Sequence, residues 1–185
     1  MATPHEELVA LLATRSFRRG QFTLASGRQS PFYVDARPTT MSARGLTLVG
    51  LLGLAAIRDA GWRPTLVGGL TLGADPVAYA IARSSMDAPP ILDAFVVRKQ
   101  AKAHGTHRRI EGTFAAGASV VVTEDVITTG GSAQEAVDAI RAEGGIVVGV
   151  LAVVDRDEGG REALEAAGLP VRALVQLDEI ASHTN

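Results

Sequence analysis

The feature that most constrains the fold is a repeated alternation of apolar, β-branched runs with helical stretches of about ten residues. The runs cover residues 65–70, 93–97, 118–125, 146–155 and 171–177. Most are apolar continuously and not at every second position, which is typical of strands buried on both faces of a parallel sheet. We therefore predict an α/β fold: a doubly wound, mainly parallel sheet with helices on both faces.

The first 40 residues differ from the remainder of the chain. Thr3 and Pro4 predict the start of a short helix, and FTLASGRQSPFYVDAR predicts two extended pieces around a turn at residues 26–31. We interpret residues 1–40 as a small N-terminal hood beside an α/β core at 41–185. No linker or internal repeat divides the chain, so we expect a single domain over residues 1–185.

Composition excludes several classes of function. A net charge of -2 gives no broad basic surface, so we expect neither nucleic acid nor membrane as a partner. The absence of cysteine excludes disulfides and thiolate metal sites. The chain shows no secretory start and no apolar run of the roughly 18 residues that a membrane span needs. We expect a cytoplasmic protein.

The strongest local signal is VVVTEDVITTGGSAQEA, where an apolar strand turns into a helix. In doubly wound sheets, ligands bind beyond the carboxyl ends of the strands. Small residues there let backbone N–H groups converge on a phosphate, and the helix N-terminus attracts negative charge. The predicted phosphate loop, residues 126–132, comprises Val126, Ile127, Thr128, Thr129, Gly130, Gly131 and Ser132.

Two adjacent carboxylates, Glu124 and Asp125, precede this loop. Alone they would repel a phosphate, but they suit a ribose 5-phosphate, whose hydroxyls donate hydrogen bonds and whose C1 gains positive charge when a leaving group departs. An ordinary strand end with a capped helix would explain Ser132 but not the acidic pair.

A second signal is a basic loop, residues 98–109, which follows the strand at 93–97. The chain has 16 arginines and two lysines, and both lysines lie here. The predicted pyrophosphate ligands are Arg98, Lys99, Lys102 and His104, and closure of the loop as a lid would exclude water. The alternative is a solvated basic surface loop.

These two segments carry a family resemblance. The stretch from Val120 to Ser132 resembles the motif that binds phosphoribosyl pyrophosphate (PRPP) in type I phosphoribosyltransferases. FVVRKQAKAHGTHRRIEG resembles the flexible catalytic loop of orotate phosphoribosyltransferases. The resemblance implies transfer of the 5-phosphoribosyl group from PRPP to orotate, giving orotidine 5-monophosphate and pyrophosphate in pyrimidine synthesis. It also implies a homodimer in which the basic loop completes the neighbouring site, with Lys99, Lys102 and Asp125 as catalytic residues.

Three more stretches are similar to the same family. They imply that Phe32, Tyr33, Thr128 and Arg156 bind orotate, and that Thr71, Leu72 and Gly73 offer backbone amides to pyrophosphate. Magnesium is expected to bind mainly through PRPP and water, with no metal site formed by the protein itself.

Two departures from the family pattern remove positive charge. Some members carry lysine where this chain has Ala25 and Gly73, so Arg28 or the backbone would have to substitute. Two alternatives stay open: a purine phosphoribosyltransferase, and a regulator that senses PRPP without catalysis. A sensor has no need for the basic loop.

Overall fold

The computed structural model describes residues 2–23, 29–100 and 109–183. The helices are α1 (Pro4–Arg15), α2 (Arg37–Thr40), α3 (Ala43–Asp59), α4 (Ala74–Ser85), α5 (Gly131–Ala142), α6 (Gly160–Ala166) and α7 (Leu177–His183). The strands are β1 (Phe17–Thr23), β2 (Gln29–Val34), β3 (Leu66–Leu70), β4 (Asp93–Val97), β5 (Ile110–Gly112), β6 (Ser119–Ile127), β7 (Ile146–Asp155) and β8 (Val171–Gln176). Lys102, His104, Ala25 and Arg28 lie outside the described residues.

The central sheet has the strand order β5-β4-β3-β6-β7-β8. All neighbouring pairs are parallel except β4 and β5. The order grows outward in both directions from β3 and β6, so the carboxyl ends of the parallel strands meet at one edge. The predicted doubly wound, mainly parallel sheet is confirmed.

Helices cover both faces of the sheet because successive strand side chains point to opposite sides. Val121 and Leu151 belong to a core shared with α1, α3, α4 and α7. Val120, Val122 and Val150 belong to a second core, shared with α5 and α6. No helix in the described part of the chain combines the length and apolar character needed to cross a membrane.

The hood is also present. Helix α1 begins with a capping box in which Thr3 and Glu6 bond each other's backbone N–H, and β1 and β2 form a separate antiparallel sheet. The ring of Phe17 packs 5.3 Å from that of Phe32. The predicted turn at residues 26–31 was placed too far along the chain, since β2 already starts at Gln29.

The sequence reading missed three short elements and one boundary. Helix α2 has four residues, β5 three and α7 seven, too few for a hydrophobic period to be recognised. Strand β6 runs to Ile127, two residues beyond the predicted run at 118–125, so it includes the first two residues of the phosphate loop. Polar residues near a strand end do not end its pairing, because β7 continues to bond it.

Candidate functional site

Two adjoining cavities lie at the carboxyl ends of the parallel strands. The larger, about 310 Å³, is lined by Tyr33, Val34, Asp35, Arg37, Leu70, Thr71, Leu72, Gly73, Lys99, Glu124, Asp125, Val126, Thr128 and Ser132. The smaller, about 80 Å³, is lined by Glu124, Val126, Ile127, Thr128, Thr129, Gly130, Gly131, Ser132 and Ala133. Every residue of the predicted phosphate loop lines at least one of them.

The smaller cavity lies against the N-terminus of α5. No side chain of the described residues caps this helix at Gly130, so its first-turn N–H groups face the cavity without an internal acceptor. The positive end of the helix dipole lies there as well. This arrangement is suited to an oxyanion such as a phosphate monoester.

The phosphate loop is supported from behind by the N-terminus of α6. A Cβ atom on Gly160 would lie 2.6 Å from the carbonyl oxygen of Thr128 and 2.7 Å from the backbone N of Gly130. Only a residue without a side chain permits this contact of backbone with backbone. The shape of the loop therefore depends on α6 as well as on its own sequence.

Glu124 and Asp125 have different environments despite being neighbours. The side chain of Glu124 is only 6% exposed and faces both cavities. Asp125 faces the larger cavity alone and accepts a hydrogen bond of 3.0 Å from the backbone N of Val126. Burial raises the pKa of Glu124 well above 4.5, and the charge of Asp125 adds to this effect. The pair is therefore asymmetric, with Glu124 favoured as the neutral acid.

A raised pKa in the folded state makes stability depend on pH. The contribution of Glu124 is fully present below about pH 4.5 and is lost as pH rises through the folded-state pKa. Glu124→Gln removes this loss, so its melting temperature should increasingly exceed that of the wild type as pH rises above about 4.5. Circular dichroism melts across this range measure the difference. Parallel curves for the two proteins would contradict the burial of a neutral acid.

The loop after β3 approaches Asp125 closely. A Cβ atom on Gly73 would lie 2.4 Å from Oδ1 and 2.5 Å from Cγ of Asp125. A side chain at position 73 would therefore require the Asp125 carboxylate to move. From the sequence, Gly73 was interpreted as the loss of a positive charge. In the structure, the carboxylate of Asp125 lies where a side chain of residue 73 would begin.

Gly73→Ala should therefore displace the Asp125 carboxylate. We expect kcat/KM to fall roughly 10- to 100-fold, because small displacements of reacting groups are costly, with little change in melting temperature. Steady-state kinetics and thermal melts measure the two effects. If the loss acts through Asp125, Gly73→Ala should add little to Asp125→Asn in a double-mutant cycle, and additive losses would refute that route.

The basic loop is described only at its two ends. Lys99 is exposed and lines the larger cavity. Arg98 is not among the described lining residues, since its Nη1 lies 3.6 Å from Oε1 of Glu111 on β5. The structure thus brings Lys99, but not Arg98, to the cavity of the same chain. The predicted roles of Lys102 and His104 fall outside the described residues.

The predicted base-binding residues divide into two groups. Tyr33 and Thr128 line the larger cavity. Phe32 packs against Phe17, and Arg156 is 5% exposed and donates to Oγ of Ser30 at 3.2 Å. Arg156 also lies 2.7 Å from Glu158. The structure therefore does not place Phe32 or Arg156 on the cavity surface, but Arg156 ties the hood to the end of β7.

Sequence reasoning missed several lining residues. Leu70 and Val34 end strands, and Ala133 lies in the first turn of α5. Asp35 and Arg37 are charged and directly follow β2. The Asp-Ala-Arg spacing at the end of a strand was the signal that could have identified this pair.

Comparison with known proteins decides the family. No protein-family model matches the chain. A curated orotate phosphoribosyltransferase of Mycobacterium avium is 50% identical over 183 residues, which cover 97% of this chain and 98% of that relative. The chain belongs to the orotate phosphoribosyltransferase family. The resemblance found in the phosphate and basic loops is confirmed.

Two crystal structures of an orotate phosphoribosyltransferase from Mycobacterium tuberculosis H37Rv agree in fold. One, in complex with Fe(III) dicitrate, has a TM-score of 0.85 and 47% identity, covering 96% of this chain and 99% of the other. The other, in complex with PRPP, has a TM-score of 0.81 and 44% identity over 97% and 99% of the two chains. The type I phosphoribosyltransferase fold thus extends over nearly all of this orotate phosphoribosyltransferase family member.

Proposed function

We propose that the chain transfers the 5-phosphoribosyl group from PRPP to orotate, giving orotidine 5-monophosphate and pyrophosphate in de novo pyrimidine biosynthesis. The observation that carries this proposal is the pair of adjoining cavities that share Glu124. One has the donors for a phosphate monoester, and the other has an acidic pair beside Lys99. A relative from Mycobacterium tuberculosis has been solved with PRPP.

The phosphate loop holds the 5-phosphate of the donor in the smaller cavity. Its backbone N–H groups and the hydroxyls of Thr128, Thr129 and Ser132 donate to the phosphate oxygens. The ribose then extends into the larger cavity, where its hydroxyls meet Glu124 and Asp125. Fixing the sugar at both ends presents C1 to the incoming base and removes most of the orientational cost of the reaction.

The reaction breaks the bond from C1 to the pyrophosphate oxygen and forms a bond from C1 to a ring nitrogen of orotate, whose proton is released to pyrophosphate or solvent. Positive charge at C1 is stabilised by Asp125, and growing negative charge on pyrophosphate by Arg98, Lys99, Lys102 and His104. The backbone amides of Leu72 and Gly73 also face pyrophosphate, whereas the predicted amide of Thr71 already donates to the carbonyl oxygen of Val97 at 2.9 Å. Tyr33 and Thr128 border the base, while Arg156 and Phe32 connect the hood to the core on that side.

Magnesium is proposed as the cofactor, held by pyrophosphate oxygens and water. The oxygen-rich lining of the larger cavity, which includes three carboxylates, fits a hydrated hard cation. Among the described residues, no cluster of three or more His, Asp or Glu side chains could itself hold a metal ion. When bound, the ion would offset negative charge on the donor.

We also propose that residues 1–185 act as one phosphoribosyltransferase domain and that two copies form a homodimer, with the basic loop of each copy completing the site of the other. The orientation of Arg98 away from its own cavity supports this arrangement. Light scattering should give twice the molar mass of one chain. The cytoplasmic location stays a prediction.

The decisive experiment is a pyrophosphate-release assay with orotate, PRPP and magnesium, each omitted in turn. Release should require all three, and the nucleotide product should be orotidine 5-monophosphate. A nucleotide formed from a purine but not from orotate would establish the purine alternative. PRPP binding without turnover on any base would establish the sensor.

A further inference from the structure

A charged pair that neither sequence motif contains forms part of the wall of the larger cavity. Asp35 and Arg37 follow β2 and lie on the hood side, while Gly73 and Lys99 line the cavity from the ends of β3 and β4. The proposed reaction leaves this pair without a role. The inference below rests on that proposed function.

The guanidinium of Arg37 is fixed in place by Asp35. Its Nε and Nη2 donate to the two carboxylate oxygens of Asp35 at 2.8 and 2.9 Å, and its backbone N donates to Oδ1 at 3.1 Å. Within the described ranges, Nη1 forms no hydrogen bond. A bidentate pair restricts the orientation of the guanidinium, so two donors of Nη1 remain for a further acceptor.

Arg37 lines the larger cavity together with Gly73, Lys99 and Asp125. Asp35 raises the pKa of Arg37 most, and Asp125 raises it further, which indicates that the guanidinium lies in the field of Asp125. Asp125 in turn contacts Gly73, whose backbone offers amides but no cation. Among the described lining residues, only Lys99 and Arg37 carry positive charge.

The position of Arg37 argues against the 5-phosphate of the donor as its ligand. The smaller cavity, which is suited to the 5-phosphate, is not lined by Arg37. Orotate has Arg156 as its predicted cationic partner, although Tyr33 and Thr128 line the larger cavity together with Arg37. The pyrophosphate of the donor is the anion that fits between Arg37, Lys99 and the backbone amides of Leu72 and Gly73.

We propose that Arg37 binds the pyrophosphate group of PRPP and that Asp35 is the residue that positions it. Arg37 thereby supplies, from the wall of the larger cavity, a positive charge that Gly73 does not carry. If the role of the pair were purely structural, Asp35 and Arg37 would stabilise the start of α2 and would not affect the binding of pyrophosphate.

The test compares Arg37→Gln with Arg44→Gln. Arg44 is a matched control because it also forms a two-point ion pair, with Glu7, and is similarly exposed, at 54% against 46% for Arg37. Calorimetric titration with inorganic pyrophosphate in magnesium buffer gives the Kd for each variant. Steady-state kinetics give separate KM values for PRPP and orotate, and thermal melts report folding.

Arg37→Gln should raise the Kd of pyrophosphate and the KM for PRPP about 10- to 100-fold, the usual effect of losing a charge-assisted hydrogen bond. The KM for orotate should stay within about twofold, and Arg44→Gln should match the wild type. Asp35→Asn should also raise the Kd of pyrophosphate, but by less than Arg37→Gln does. Arg37→Lys, which retains the charge, should give an intermediate Kd and serves if the glutamine variant does not fold.

Equal pyrophosphate affinity in the Arg37→Gln and Arg44→Gln proteins would overturn the proposal, as would a change confined to the KM for orotate. An unchanged Kd in Asp35→Asn would overturn the positioning role of Asp35. Failure of the proposed function would be seen differently, because the wild type would then form no orotidine 5-monophosphate. The binding of pyrophosphate could still be measured in that case.

Discussion

Asp125→Asn should lower kcat by about a hundredfold or more, the usual scale for losing electrostatic stabilisation of a transition state. The substitution keeps the size of the side chain and an oxygen that can accept the hydrogen bond from the backbone N of Val126. It removes the negative charge beside C1 at the moment when C1 becomes positive. Single-turnover and steady-state kinetics with PRPP and orotate measure the loss.

Glu124→Gln is the matched comparison, because the raised pKa of Glu124 favours its neutral form in the folded protein. A neutral amide replaces a neutral acid, so kcat should change by no more than about threefold. Equal losses in the two variants would show that both positions act as carboxylates in the reaction. A loss confined to Glu124→Gln would reverse the assignment.

Lys102→Ala should depress turnover far more than stability. The position belongs to a segment rich in charge and poor in apolar residues, which contributes little to a core. Loss of one cation from developing pyrophosphate should cost kcat about 10- to 100-fold, while the melting temperature stays near that of the wild type. Unchanged turnover in a well-folded variant would remove the basic loop from the mechanism.

The same variant tests whether the sites are shared. If the loop acts in the neighbouring site, a hybrid dimer of Lys102→Ala and Asp125→Asn chains contains one site with both defects and one with neither. Mixing the two proteins, with exchange of subunits, should restore about a quarter of wild-type activity. No recovery in mixtures that contain proven hybrids would place the loop over the site of its own chain.

The sheet could be predicted from sequence because its strands are continuous apolar runs with a strong local signature. The runs at 65–70 and 93–97 match β3 and β4 within one residue. The antiparallel strand β5 could not be predicted, since three residues carry no period and their pairing with β4 depends on the fold. The end of β6 was placed two residues early because the pairing with β7 continues beyond Asp125 to Ile127.

The site was predictable where one segment contains its own chemistry, as in the phosphate loop. It was less predictable where function depends on contacts between distant segments. Gly73 was interpreted as missing charge because a sequence does not show that Asp125 fills the adjacent space. Arg37 was overlooked because an arginine two residues after an aspartate resembles an ordinary surface ion pair until the cavity is seen behind it.

The contact between Gly160 and the turn at Thr128 has a consequence for how such proteins can change during evolution. The same short connection that begins α6 also follows Arg156, which donates to Ser30 of the hood and pairs with Glu158. Insertions or larger side chains in this connection would disturb both the phosphate loop and the contacts of Arg156 with the hood. Altered base preference should therefore arise more readily through changes in the hood than through remodelling of this connection.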